Sequence, residues 1–170
     1  MPRKPLALAL LLALVGGGAA LLAGAPAAIE RAMFGGSLSR NMVSAEKGLP
    51  SDWDVQTGRN VKWWSDVGSQ AYAGPSVAGG KVFVGTNNDG LRDPALPNDR
   101  GVVMAFAEAT GDFLWPMTHE KLTSGRVNDW PQQGVGPPPF VEGNRLHYTT
   151  NPATPAPPHP PGRKERHAGP

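Results

Sequence analysis

Three observations predict an all-β fold. Short runs such as Lys81-Val82-Phe83-Val84-Gly85-Thr86 and Val102-Val103-Met104-Ala105-Phe106 are rich in the β-branched and aromatic residues that suit a pleated surface. Glycine-containing pairs, Gly79-Gly80, Thr110-Gly111 and Gly143-Asn144, separate such runs at hairpin spacing. The stretch 75–87, PSVAGGKVFVGTN, returns without gaps as 139–151, PFVEGNRLHYTTN, an offset of 64 residues (75 to 139). Short strands repeated at such a period point to a solenoid or propeller, in which each unit buries its faces against the next.

The first element is a leader. Arg3 and Lys4 precede the apolar run 6–15, apolar character resumes after Gly16-Gly17-Gly18, and small residues close the stretch at Gly24-Ala25-Pro26-Ala27-Ala28. A positive flank, apolar centre and small-residue end describe a secretory signal peptide over residues 1–27, with cleavage before Ala28. Residues 6–22, if helical, are also long enough for an uncleaved membrane anchor. Either reading exports the rest of the chain to a periplasmic or secreted location, and the anchor would be its membrane contact.

Residues 28–56 read as an extended lead-in. Phe34-Gly35-Gly36-Ser37-Leu38-Ser39-Arg40-Asn41 is predicted to be extended, and Leu49 and Trp53 are candidate anchors onto a core. Thr57-Gly58 then predicts a turn, followed by a strand ending at Trp63-Trp64. Residues 75–115 form the densest part of the pattern. Residues 75–78 make a first strand, and Gly79-Gly80 turns because glycine reaches the positive φ of primed hairpin turns. Residues 81–86 make a second strand, and a polar loop runs to Arg100. Residues 102–106 make a third strand, Thr110-Gly111 a turn and residues 112–115 a fourth. The repeat at 139–151 begins the same pattern again. Residues 152–170 are dominated by proline and basic side chains, bury too little apolar surface to offset the entropy of ordering, and are predicted to be disordered. Pro155-Ala156-Pro157-Pro158 within them has the spacing of a polyproline II ligand.

Composition excludes several functions. The 170 residues contain no cysteine, so disulfides, thiolate metal sites and cysteine nucleophiles are ruled out. Sixteen basic and 14 acidic residues leave a net charge of +2, with none of the clustered basic surface that nucleic-acid binding requires. The 39% hydrophobic content overstates the core, since the leader holds much of it.

The run Ala105-Phe106-Ala107-Glu108-Ala109-Thr110-Gly111-Asp112-Phe113-Leu114-Trp115 resembles the blade ending of the pyrroloquinoline-quinone (PQQ)-type β-propeller repeat proteins, A-x-D-x-x-T-G-x-x-x-W. Ala107 stands where that family often has Asp. The resemblance spans residues 34–151 and marks Thr57, Gly58, Trp63, Ala105, Thr110, Gly111 and Trp115 as structural blade positions. It implies a partial β-propeller over residues 57–151, one complete four-stranded blade plus parts of two others. In that family the tryptophan docks against the neighbouring blade and Thr-Gly makes the outer turn. Since closure takes at least about four blades, the resemblance implies the N-terminal portion of a longer protein, with the change at Asn151 suggesting a truncated or frame-shifted reading frame. Two functions follow from it. One is an exported, non-catalytic binding or scaffold module with protein partners in the cell envelope, or a fragment inactive alone. The other is part of a PQQ-dependent alcohol or sugar dehydrogenase, with PQQ and calcium held only in a full-length parent. The cysteine pair that family dehydrogenases often place over the quinone has no counterpart here.

Residue chemistry singles out two groups of candidate site residues. Asn87, Asn88, Asp89, Asp93, Asn98 and Asp99 form the densest group of oxygen ligands, with Asn87, Asp89 and Asp93 as candidate calcium ligands. The EF-hand pattern is absent, and the same residues suit turns. Asp129 is a candidate base and Arg126 a candidate anion clamp, on a connector of the kind that carries sites on rigid scaffolds; the alternative is a plain connector with Trp130 packed on a sheet edge. His119 and Glu120 are adjacent in a strand and point to opposite faces, so they make no metal pair. The five tryptophans read as packing residues.

Overall fold

The computed structural model describes residues 30–89, 99–123 and 129–151. The leader and the proline-rich tail lie outside them, as do Asp93 and Arg126. The described residues are all-β and contain no helix; none of their segments is a helix long and apolar enough to cross a membrane. Six strands form in chain order: β1 (Ser76–Ala78), β2 (Lys81–Asn87), β3 (Gly101–Ala107), β4 (Phe113–His119), β5 (Phe140–Glu142) and β6 (Arg145–His147). They make a four-stranded antiparallel meander, β1-β2-β3-β4, and a two-stranded antiparallel sheet, β5-β6.

The predicted turns are where the hairpins close. Gly79 and Gly80 have φ of 57° and 70°, the mirror-image conformation that joins strands of natural right-handed twist with two residues. The register Ser76↔Phe83, Val77↔Val82, Ala78↔Lys81 follows from that loop length. The second hairpin has Phe140↔His147, Val141↔Leu146, Glu142↔Arg145. Each pair is the first hairpin's pair moved by 64 residues (76 to 140, 83 to 147). The sequence repeat is therefore also a repeat of backbone register.

Alternation along β2, β3 and β4 gives the larger sheet two apolar faces. Phe83, Val103, Ala105, Trp115 and Met117 point one way and pack on Val141, Leu146 and Tyr148 of the second hairpin and on Val135. Val82, Val102, Met104 and Phe106 point the other way, under Trp63, Val67 and Phe113. Phe83, Ala105 and Trp115 are cross-strand neighbours in one row. The small Ala105 between them lets the two rings meet, with centroids 5.9 Å apart. Burial of a ring such as Phe83 stabilises by about 1.5–3 kcal/mol. A β-bulge interrupts the β3–β4 ladder, where Ala105 pairs with Trp115 but Phe106 pairs with Phe113, leaving Leu114 as the extra residue. β4 is an edge strand and contains Pro116, which fits that place because proline lacks an N–H for a ladder on its free side.

The lead-in departs from expectation. Residues 33–40 form turns, not an extended strand: Gly36 N–H donates to Met33 C=O (3.0 Å) and Arg40 N–H to Ser37 C=O (2.9 Å). Leu49 and Trp53 are exposed, at 66% and 70%, so neither anchors a core. Thr57-Gly58 does lie in a turn, closed by the Asp54–Arg59 bridge. The strand expected after it is absent, and residues 61–68 are irregular. The cause is local self-satisfaction. Asp54 Oδ1 accepts from Gln56 N–H (2.9 Å) and Thr57 N–H (3.3 Å), and Asn60 Nδ2 donates to Asp52 C=O (3.0 Å). The backbone is paired within the turn, and the residues after it meet the sheet through the side chains of Trp63 and Val67 without forming a ladder.

Candidate functional site

One end of the four-stranded sheet gathers the loops. β2 finishes there at Asn87, β3 starts at Gly101 and β4 finishes at His119. The connector that leaves β4 for β5 crosses the same end: Val135 N–H donates to Thr86 C=O at 3.0 Å. Polar side chains converge here because crossing backbones at a sheet end carry N–H and C=O groups that need partners once buried.

Asp129 sits in this network. Its side chain is 3% exposed. Oδ1 lies 3.3 Å from Lys121 Nζ and accepts from Asn151 Nδ2 at 3.0 Å, while Oδ2 accepts from Leu122 N–H at 2.8 Å. Lys121 Nζ also meets Asp99 Oδ2 at 2.9 Å and donates to Trp130 C=O. Asp99 Oδ2 in turn accepts from Gln132 N–H at 2.5 Å. The ammonium is thus enclosed by two carboxylates and a carbonyl, an arrangement that compensates the cost of burying its charge. Asp129 holds the connector in place with both oxygens engaged, Oδ1 by Lys121 and Asn151 and Oδ2 by the Leu122 N–H. Arg126, proposed as its partner, lies outside the described residues. Trp130 is 62% exposed and does not pack on a sheet edge, because its carbonyl, not its ring, is the group the fold uses.

Asn87 is likewise committed. Its Oδ1 accepts from Ser69 N–H and Asp89 N–H, both at 3.0 Å, and its Nδ2 donates to Ser69 Oγ (3.1 Å) and to Gln132 C=O. The Asp89 contact is the local side-chain turn that asparagine favours. Asp89 itself is exposed, and Asp93 lies outside the described residues. No group of three or more histidine, aspartate or glutamate side chains suited to a metal occurs among the described residues. The buried acceptors Asp99 Oδ1 and Asn151 Oδ1 lack hydrogen-bond donors; the Lys121 ammonium on Asp99 Oδ2 already supplies positive charge to that carboxylate.

Sequence reasoning missed Lys121 altogether and missed the joint role of Asn87 and Asn151. These two asparagines occupy equivalent repeat positions, and each donates to a connector carbonyl, Asn87 to Gln132 and Asn151 to Gly134 (2.7 Å). The recurrence of asparagine at the 64-residue offset was the available signal. His119 Nε2 lies 2.7 Å from Tyr148 Oη, joining the ends of β4 and the second hairpin.

Of the motif residues, Trp63, Thr110 and Gly111 meet at the opposite end, while Thr57 and Gly58 lie in their own exposed turn and Ala105 and Trp115 pair within the sheet. The turn at residues 108–110 is closed by Gly111 N–H donating to Ala107 C=O (2.8 Å), with Gly111 at φ 78°. The indole of Trp63 lies against this turn: a Cβ added to Gly111 would meet Trp63 Cδ2 at 2.6 Å and Cγ at 2.8 Å. Trp63 Nε1–H donates to Glu108 C=O at 2.8 Å. Only glycine fits, both for its φ and for the ring above it. Trp63 follows Gly58 by five residues while Trp115 follows Gly111 by four, so the two copies of the motif are not identical in spacing. Trp115 packs on Phe83, and Thr110 Oγ1 donates to Asp112 Oδ2 at 2.6 Å.

Two cavities border the lead-in, away from the polar network. One of about 650 Å³ is lined by residues 48–52 and 60–62. The other, about 280 Å³, is lined by Met33, Phe34, Met42, Val43 and Arg31 among others. No protein-family model matches the chain, and no curated protein matches it.

Proposed function

We propose that the chain is an exported repeat module of the PQQ-like β-propeller type that acts by binding or scaffolding in the cell envelope, without catalysis of its own. The observation that carries the reading is the seat of Trp63 on the Gly111 turn. It fits the docking of a tryptophan against a neighbouring blade that the family resemblance implies, here with a Thr-Gly turn as the seat. The shared hairpin register at a 64-residue offset and the stacking of the second hairpin on one face of the first sheet also support it. For the non-catalytic part, the support is that Asp129, Lys121 and Asn87 spend their polar atoms on fixing a connector.

The test is a titration of the purified chain with PQQ in the presence of calcium. Unchanged tryptophan fluorescence and no dye-linked oxidation of alcohols or sugars are expected. Saturable quenching with a red-shifted quinone band would turn the reading toward a dehydrogenase. Export is checked by fractionating a Gram-negative expression host. The chain should be recovered from the periplasm with Ala28 as its first residue, or from the membrane if the leader persists. Cytosolic recovery with an intact leader would contradict export.

A further inference from the structure

We propose that residues 30–32 are a latch that couples the two sheets, and that its release frees the β5–β6 hairpin while the four-stranded sheet stays closed. Arg31 forms an antiparallel bridge with β1: its N–H donates to Val77 C=O at 2.8 Å, and Val77 N–H donates to Arg31 C=O at 2.9 Å. The next residue reaches the other sheet, with Ala32 C=O accepting from Val141 N–H at 2.8 Å. Val77 and Val141 are the same position of the repeat, 64 residues apart and each paired across its own hairpin turn region, with Val82 and with Leu146. One dipeptide therefore grips equivalent points of both hairpins. Glu30 adds a side-chain bond, its Oε1 accepting from Gly79 N–H at 3.1 Å. The Arg31 guanidinium ties the latch to the lead-in through Ser44 Oγ (2.6 Å) and Glu46 Oε2 (3.1 Å).

The hairpin needs such a device. β5 and β6 share three residue pairs, and a two-stranded hairpin of that size is not stable by itself in water. Besides the latch, polar links between this segment and the first sheet include Ser76 Oγ to Pro139 C=O, His119 to Tyr148 and Tyr148 Oη to Met117 Sδ. Opening it would uncover Val141, Leu146 and Tyr148 on one side and Phe83, Trp115 and Met117 on the other, a concealed apolar surface whose exposure the latch controls. The large sheet has its own ladders, seven residue pairs between β2 and β3, and does not depend on the latch.

Amide hydrogen exchange on the full chain tests this. Arg31→Pro deletes the N–H that donates to Val77 and disfavours the bridge, whereas Arg31→Ala keeps the backbone and removes only the guanidinium contacts. The proline variant should speed exchange at Val141 by about tenfold or more, the order set by losing a net hydrogen bond that holds a local structure closed, with Val103 in β3 unchanged. The alanine variant should leave Val141 within about threefold of the parent. Unchanged Val141 exchange in the proline variant would overturn the latch. Equal acceleration at Val103 would overturn its separability, and equal effects of both variants would overturn its backbone origin.

Discussion

The four-stranded sheet and the lead-in before it hold similar kinds of residue and treat them in opposite ways. In the sheet, Phe83, Val102, Val103 and Phe106 are essentially inaccessible to solvent. In the lead-in, Phe34, Leu38, Leu49 and Trp53 stand more than half exposed. Hydrophobic composition does not separate the two regions; pattern and pairing do. The sheet's apolar residues alternate, so each face of each strand meets the same face of its neighbours. The lead-in's apolar residues lack a period, and its polar residues bond to their own backbone within two or three positions. Trp63 is the exception that makes the comparison useful. It stands just past the lead-in, in the irregular segment 61–68, and is half-buried because the sheet offers it a turn carbonyl and a glycine face.

The largest break in the contrast should come from paired truncations. Phe83→Ala removes a buried ring from the contact with Trp115 and should cost about 3–5 kcal/mol of unfolding free energy in a denaturant titration. Leu49→Ala, in the lead-in, should stay within about 0.5 kcal/mol. Charged pairs should divide in the same way. Lys121→Met leaves Asp129 buried without its cation and should cost about 3 kcal/mol, while Arg59→Ala, which breaks an exposed pair with Asp52, should cost less than about 1 kcal/mol. At the boundary between the regions, Trp63→Phe keeps most of the ring but leaves the Glu108 carbonyl without its donor. A loss of about 1–2 kcal/mol is expected, with no change in the far-ultraviolet β signature.

The smallest effect is confined to the lead-in and depends on pH. The hydrogen bond from the Thr57 side chain, followed by the backbone N–H groups of Thr57 and Gln56, holds the Asp54 carboxyl below its ordinary value of 3.8. A lowered folded-state pKa means that the contribution is present above about 3.8 and is lost as the pH falls through the lower folded value. The 54–59 turn should therefore loosen only in strong acid. Amide exchange or chemical shifts at Gln56 and Thr57 should report the change while Val103 in β3 stays fixed. Loosening that begins at pH 6 would point to some other group.

Much of the fold was legible because its signals are local. Gly79-Gly80, the alternation through Val82 and Phe83, Thr110-Gly111 and the return of the pattern at 139 each specify structure within a few residues. Boundaries moved only slightly, as when the fourth strand ran on from Trp115 to His119 through Pro116. The candidate site was less legible because it is built from contacts far apart in sequence. Lys121 meets Asp99 across 22 residues and Asn87 meets the carbonyl of Gln132 across 45. Neither spacing has a motif. The contacts of Asp129 with Lys121 and Asn151 leave no mark in the sequence, since a lone aspartate on a connector looks the same whether it faces solvent or clamps a lysine. Tryptophan type was also ambiguous: Trp63 and Trp115 pack, whereas Trp53, Trp64 and Trp130 do not, and only the first two have a glycine or alanine row to pack on.

The central claim is that Trp63 seats on the Thr110-Gly111 turn, the contact on which the proposed repeat architecture rests. A two-dimensional proton NMR experiment on the protein labelled at tryptophan and glycine addresses it directly. The ring above Gly111 should shift its Hα protons upfield and give cross-peaks between them and the Trp63 indole ring, with the Nε1–H protected from exchange. Gly111 Hα shifts at their unstructured values, without cross-peaks and with rapid Nε1–H exchange, would contradict it.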